Sequence, residues 1–227
     1  RIINIWMQES IKSQFKTVIH EAAKNNDLSV QATKKDRLDK IIGNKNHQGI
    51  VIEVKRSNEE NSNNLENILN DHKDSKPIYL ILDSIQDPHN LGACIRTSVA
   101  AGVSAIIIPK DRAVRVNETV KKVACGAAES IPIITVVNLV RTLKKMKEAG
   151  IWIIGTASDA KKSVYNLDLK IPIAIVIGGE NMGIRSQVRK ECDFIGSLPI
   201  KKKIESLNAS VAAGIVLYEA VRQREYR

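Results

Sequence analysis

Residues 171–184 read Ile-Pro-Ile-Ala-Ile-Val-Ile-Gly-Gly-Glu-Asn-Met-Gly-Ile. The run Ile171–Ile177 is β-branched almost throughout, as in a strand buried on both faces. It passes directly into Gly178-Gly179-Glu180, where adjacent glycines let a ligand approach the backbone closely. A helix is expected over Ile184–Glu191. A buried strand that turns sharply into a helix is the unit of a parallel α/β sheet. The turn is neither the dinucleotide fingerprint G-x-G-x-x-G nor a Walker P-loop, because Gly-Lys-Ser/Thr is absent.

The same alternation extends outward in both directions. Strands are expected at Ile78–Asp83, Ala105–Ile108, Ile131–Val136, Ile151–Gly155 and Phe194–Leu198. Helices are expected at Asn90–Ala101, Asn117–Gly126, Leu139–Ala149 and Ser206–Gln223. Strands alternating with helices predict a mainly parallel sheet covered on both sides, with ligands at the carboxyl ends of its strands.

Residues 1–56 read as a separate small α/β unit. Strands are expected at Ile2–Met7, Leu28–Gln31 and Ile50–Val54, with helices at Ser10–Asn25 and Lys34–Ile42. Ile11, Phe15, Val18, Ile19 and Ala22 recur at helical spacing. The first residues look like a strand already under way, so a preceding segment is expected. Residues 57–76 read as a linker, because Ser57-Asn58-Glu59-Glu60-Asn61-Ser62-Asn63-Asn64 is polar and lacks periodicity.

The 227-residue chain has a net charge of +10. Residues 1–56 contribute +5, residues 57–76 contribute −3 and residues 77–227 contribute +8. Two basic units point to a polyanionic partner, most often nucleic acid. Aromatics at 4% are too few for a single-strand binder built on base stacking. No stretch approaches the ~18 apolar residues of a membrane span. Cys94, Cys125 and Cys192 are too scattered for a disulfide framework or a zinc knuckle. A cytoplasmic, metal-free protein is expected, with no membrane partner.

Three loops follow three strands and hold the candidate chemistry. The first carries Asp87-Pro88-His89-Asn90-Leu91-Gly92 and, further on, Arg96, with Asn90 a candidate helix cap. The second is Gly178-Gly179-Glu180-Asn181-Met182-Gly183. The third is Leu198-Pro199-Ile200, then Lys201-Lys202-Lys203, then Ser206-Leu207-Asn208-Ala209-Ser210, with Ser206 a candidate cap.

Taken in order, Asn90-x-Gly92-x-x-x-Arg96, Gly178-Gly179-Glu180-x-x-Gly183 and Leu198-Pro199-Ile200…Ser206-Leu207-Asn208-x-Ser210 resemble the three motifs of the SpoU family of RNA ribose 2′-O-methyltransferases. The resemblance covers about Pro77 to the end. Residues 1–56, closing on Gln48-Gly49-Ile50-Val51, are similar to the ribosomal-protein-like RNA-binding domain of the subgroup that methylates a guanosine of 23S rRNA.

The resemblance implies a SPOUT-type parallel sheet with a deep C-terminal trefoil knot, a rare topology. It implies S-adenosylmethionine as methyl donor, RNA as substrate and a homodimer. It assigns Arg96, Asn90, Glu180, Asn208 and Ser210 to catalysis, with Glu180 orienting Arg96 or its own loop. It assigns Thr156, Gly178, Gly179, Leu198, Ile200, Ser206 and Leu207 to the cofactor. Arg96 is the family's catalytic arginine, often taken as a general base. Its pKa above ~12 makes a role in orienting the hydroxyl and stabilising the oxyanion the safer assignment. Lys201–Lys203 depart from the small residues usual in that loop and suggest phosphate contacts. The competing readings are a tRNA methyltransferase, a resistance methyltransferase acting on another rRNA nucleotide, and a non-enzymatic RNA-binding module.

Overall fold

A computed structural model describes residues 2–43, 46–54, 65–72, 75–180, 182–201 and 204–226. The chain forms two compact units, Arg1–Asn61 and Ser62–Arg227. The polar run at 57–64 lies outside the described residues, as do Asn181, Lys202 and Lys203.

In the first unit, strands β1 (Ile2–Gln8), β2 (Val30–Thr33) and β3 (Ile50–Val54) form one sheet in the order β2-β1-β3. β1 runs parallel to β2 and antiparallel to β3. Helices α1 (Ser13–Lys24) and α2 (Lys35–Ile42) complete the unit. Leu38 of α2 is fully buried, alongside Ile5 and Met7. The helix forms as the spacing predicts, but none of Ile11, Phe15, Val18, Ile19 and Ala22 is buried. Ala23 is its buried residue, whereas Phe15 is 49% and Val18 is 63% exposed.

The second unit begins with a helix where the sequence reads as linker. α3 (Leu65–Asp71) buries Leu65 and Ile68, three residues apart, with Leu69 partly buried beside them, in a segment whose other residues are polar. The seven-stranded sheet follows: β4 (Ile78–Asp83), β5 (Ala105–Pro109), β6 (Ile133–Val136), β7 (Trp152–Thr156), β8 (Lys162–Ser163), β9 (Ile173–Gly178) and β10 (Phe194–Ser197). Their order is β6-β5-β4-β9-β7-β10-β8, and every pairing is parallel.

Every residue of β4 is buried, as are the first five of β9, which explains their unbroken apolar character. Alternate side chains serve opposite faces. Ile78, Leu80 and Leu82 join one core with α4 (Pro88–Ala100), α5 (Glu118–Ala124) and α8 (Ala209–Glu225). Tyr79 and Ile81 join the other with α3, α6 (Leu139–Glu148) and α7 (Ser186–Glu191). Three layers result, and all loops after strands emerge on one edge. Among the described residues no helix is long and apolar enough to cross a membrane.

Two expected caps are corrected. α4 starts at Pro88, two residues before the expected point, and Asp87 caps it by accepting from the His89 amide at 2.9 Å. Proline at the first helical position favours that start. Asn90 is thereby drawn inside the helix with its side chain released. α8 starts at Ala209 and is capped by Asn208, not Ser206.

Glycines show where backbones nearly touch. A Cβ on Gly178 would lie 2.1 Å from the Gly183 carbonyl carbon and 2.2 Å from the Ile184 nitrogen. Gly178→Ala should therefore cost ~3 kcal/mol or prevent folding, because backbone atoms cannot give way. In α8, the same addition at Gly214 would meet only Thr97 Cγ2 at 3.7 Å. Gly214→Ala should stabilise the protein by ~0.5–1 kcal/mol. Denaturant midpoints of the two variants check the pair, and an unchanged midpoint for Gly178→Ala would contradict the close-approach account.

Candidate active site

The site is built at the carboxyl edge of the sheet, where β4 and β9 end side by side with Asp83 opposite Gly178. Asp83 is completely buried. Its Oδ2 accepts from the Arg185 amide at 2.9 Å, and its Oδ1 accepts from Arg185 Nε at 2.7 Å and Nη2 at 2.6 Å. A buried carboxylate needs this kind of compensation. The clamp ties the far end of the Gly179–Gly183 turn to the end of β4. Gly179 approaches so closely that a Cβ there would lie 2.4 Å from the Ser84 carbonyl oxygen. Ser84 takes up a left-handed backbone, with φ of 68°. Motif reading passes over Asp83 and Arg185. The available signal is a charged residue ending a wholly apolar strand.

The turn presents Glu180 to Asn90, whose Nδ2 donates to Glu180 Oε1 at 2.5 Å. Asn90 Oδ1 accepts from Asn208 Nδ2 at 2.9 Å. Asn208 Oδ1 accepts from the amides of Ser210 (2.9 Å) and Val211 (3.3 Å) and from Ser210 Oγ (2.7 Å). The orientation of the whole chain follows from its last link. The first amides of α8 can only donate, so Asn208 turns its oxygen toward them and its NH2 toward Asn90. Asn90 must then offer its oxygen to Asn208 and its NH2 to the carboxylate. Four of the five expected catalytic residues are joined this way, although Asn90 and Asn208 are 118 residues apart.

Arg96 stands apart from this network. It is exposed, and its Nη1 donates to Cys125 Sγ at 3.5 Å. Gly92, on the same helix, lets α4 close on α5: a Cβ there would lie 2.7 Å from Val123 Cβ. Glu180 bonds Asn90, whereas Arg96 bonds Cys125. Cys94, one turn beyond Asn90, has its thiol pushed up to about 12 by burial and, secondarily, by the Glu180 carboxylate. It stays protonated at neutral pH.

Beside the network lies a cavity of ≈ 350 Å³, within the ~300–1,000 Å³ common for small-molecule sites. Thr156, Gly178, Gly179, Leu198, Ile200, Ser206 and Leu207 all line it, so the structure brings the seven expected cofactor residues together. Ile177, Ile184 and Ala209 add apolar wall, and Glu180 lies at its boundary with the amide-carboxylate network. The Thr156 hydroxyl is committed to the Val176 carbonyl at 3.1 Å. What the inner wall offers is chiefly apolar carbon and loop backbone, a lining suited to a flat heterocycle and its ribose. At the rim, Arg189 bonds Asp159 at 2.9 Å and holds that carboxyl below the usual carboxylate range. Glu205 also lines the cavity.

Comparison with known proteins bears on this arrangement. The model of the SpoU rRNA Methylase family matches residues 77–218. That of the RNA 2′-O ribose methyltransferase substrate-binding domain matches residues 1–60. A 23S rRNA (guanosine-2′-O-)-methyltransferase RlmB of Pseudomonas aeruginosa is 44% identical over 224 residues, 99% of this chain and 90% of its own length. The RlmB of Vibrio parahaemolyticus is 49% identical over 205 residues, 88% of this chain and 82% of its own. Among solved structures, the SpoU methyltransferase AviRb of Streptomyces viridochromogenes in complex with the cofactor AdoMet superposes with a TM-score of 0.75. It does so at 22% identity over 98% of this chain and 83% of that one, a likeness of fold.

Removing the clamp should be costly. Asp83→Ala leaves the Arg185 guanidinium without its buried partner, and a loss of ~3 kcal/mol is expected. Thermal unfolding measures it; an undiminished melting temperature would show that the turn holds without the ion pair.

Proposed function

Because this chain belongs to the SpoU rRNA methylase family, we propose that it transfers a methyl group from S-adenosylmethionine to a ribose 2′-hydroxyl of 23S rRNA, at a guanosine. The observation that carries this reading is the meeting of all three motif loops at one sheet edge, with the amide-carboxylate network beside a cavity whose inner wall is apolar carbon and loop backbone. The guanosine of 23S rRNA follows from the relatives' named activity over nearly the whole chain. The substrate-binding match to residues 1–60 favours rRNA over a lone catalytic domain acting on tRNA. The intact Arg96, Gly178-Gly179-Glu180 and Ser206-Leu207-Asn208 favour an enzyme over a non-catalytic RNA-binding module.

Thr156, Gly178, Gly179, Leu198, Ile200, Ser206 and Leu207 would hold the cofactor through backbone groups and apolar contacts. When bound, S-adenosylmethionine supplies an electrophilic methyl group on a positively charged sulfonium. Ile177, Leu198 and Leu207 exclude water, which favours a reaction that neutralises charge. Asn90 is held rigid from both sides, by Glu180 and by Asn208. Its amide is thus pre-set to orient a ribose hydroxyl, at no ordering cost on binding. The Ser210 hydroxyl donates its hydrogen bond to Asn208 Oδ1, so toward the sugar it can act only as a hydrogen-bond acceptor. Arg96 supplies the positive charge that steadies the 2′-oxygen as its proton leaves to phosphate or water. Glu180 and Asn208 are positioning residues in this scheme, acting through Asn90.

Two structural readings accompany it. β8 follows β7 in sequence, yet β10 lies between them in the sheet, and β9 lies between β4 and β7. Late strands inserted into gaps left by earlier ones support a chain threaded as a deep trefoil knot. Val211 and Tyr218, seven residues apart on α8, are both about half exposed and support a homodimer. Acting on ribosomal RNA, the protein works in the cytoplasm.

Methyl transfer from labelled S-adenosylmethionine to protein-free 23S rRNA and to bulk tRNA, with the product mapped to one nucleotide, tests the activity. Label on the ribose of a single rRNA guanosine is expected; label on tRNA alone would overturn the substrate. Arg96→Ala should lower turnover at least ~100-fold while leaving cofactor affinity within about twofold. Removal of residues 1–56 should weaken rRNA binding far more than cofactor binding, and equal RNA affinity would deny that unit its recognition role.

A further inference from the structure

The loop between β5 and α5, residues 110–117, has no part in the scheme above. It leaves the sheet at the same edge as the site. β4 and β5 are paired from Tyr79↔Ala105 to Ile81↔Ile107, so Pro109 stands level with Asp83. Its backbone is bonded to the first motif loop, with the Val114 amide donating to the Ile85 carbonyl at 2.9 Å. Val114 and Val116 pack against the core, which turns Arg115 between them outward. Arg112 is held in a left-handed conformation, φ 61°, unusual for a residue with a side chain.

Lys110, Arg112 and Arg115 are all exposed. Among the described residues, none of their side chains has an ion pair or hydrogen bond. Cations unclaimed by the protein, on a loop anchored by two core valines and strained at one arginine, are presented to something outside. From this loop, α5 leads to Cys125, where the Arg96 guanidinium rests, with Lys122 exposed on the way and Lys121 beside it paired with Glu129 at 3.8 Å. The result is a basic rim that starts beside the catalytic network and ends at Arg96.

We propose that Lys110, Arg112 and Arg115 form a phosphate-gripping rim that holds the RNA strand flanking the target ribose. This rests on the reading of the site as an RNA methyltransferase. Guanidinium groups suit phosphate because their planar fork donates two hydrogen bonds to one anion. Contacts to the backbone carry no base information but fix the register of the strand, so the rim acts on positioning and the amide network on the chosen sugar.

The test measures binding and turnover of the full chain with a 23S rRNA transcript across a salt series. Arg112→Asn, which keeps a side chain tolerant of the left-handed backbone, is combined with Arg115→Gln. Each phosphate contact contributes ~0.7–0.9 to the slope of log affinity against log salt. The double variant should lose ~1.4–1.8 of that slope and bind RNA at least ~10-fold more weakly at 0.1 M salt. Its kcat at saturating RNA should stay within about twofold, and its affinity for S-adenosylmethionine should be unchanged, which also reports a folded site. Replacing both arginines by lysine should restore most of the slope. Lys170→Gln, which removes a charge at the opposite edge of the sheet, should leave the slope unchanged. A double variant with wild-type affinity and slope overturns the rim, as does an equal loss from Lys170→Gln. Wild-type protein that binds the transcript yet transfers no methyl group would overturn the catalytic reading, while the slope would still decide the rim.

Discussion

The buried carboxylate of Asp83 is the point on which the rest of the site hangs. It ends a central strand, has no access to water, and is compensated chiefly by one residue of another loop, Arg185, with the Ser84 hydroxyl adding a bond at 3.3 Å. A charge buried this completely is stable only when paired and hydrogen-bonded. The turn between Gly179 and Gly183 therefore cannot drift from the end of β4. Gly178 and Gly179 are the price of that closeness, since a Cβ on either would enter backbone. The cavity wall and the position of Glu180 both follow from the same clamp.

From Glu180 outward, order is transmitted by hydrogen bonds whose directions are fixed. The carboxylate can only accept and the first amides of α8 can only donate. Two asparagines between them must then each face one way. The network joins the turn after β9, the first turn of α4 and the start of α8, three elements far apart in the chain. It is polar yet carries one formal charge, and it borders a cavity whose inner wall is chiefly apolar carbon and loop backbone. That suits a reaction in which a sulfonium loses its charge while a hydroxyl loses its proton. The one strong cation of the first motif, Arg96, is kept outside the network and rests on a sulfur. Within the network it would pair with Glu180, and its charge would be spent there.

Much of this was legible beforehand. The unbroken apolar runs of β4 and β9 betray strands covered on both faces, and the alternation of strands and helices implies a parallel sheet. A parallel sheet in turn sends every post-strand loop to one edge, so the sequence already places the three motifs together. The short helix α3 was hidden because two buried residues in a polar, acidic segment make a weak periodic signal. The helix caps were misplaced by a few residues for a different reason. Several capping residues lie close together before α4 and α8, and local propensity does not choose among Asp87 and Asn90, or Ser206 and Asn208. Tertiary demand chooses, because Asn90 is wanted by Glu180 and Asn208 by Asn90.

The sequence by itself determined the fold class, the edge of the sheet where chemistry occurs, and the residue types gathered there. Those depend on hydrophobic periodicity and strand direction, which are local properties of the chain. Only the tertiary structure decided the partners: Asp83 with Arg185, Asn90 between Glu180 and Asn208, Arg96 against Cys125, and the Arg112–Arg115 loop pinned to Ile85. Such pairings span tens to more than a hundred residues. No local preference encodes them, because each depends on which strand ends the sheet order sets side by side.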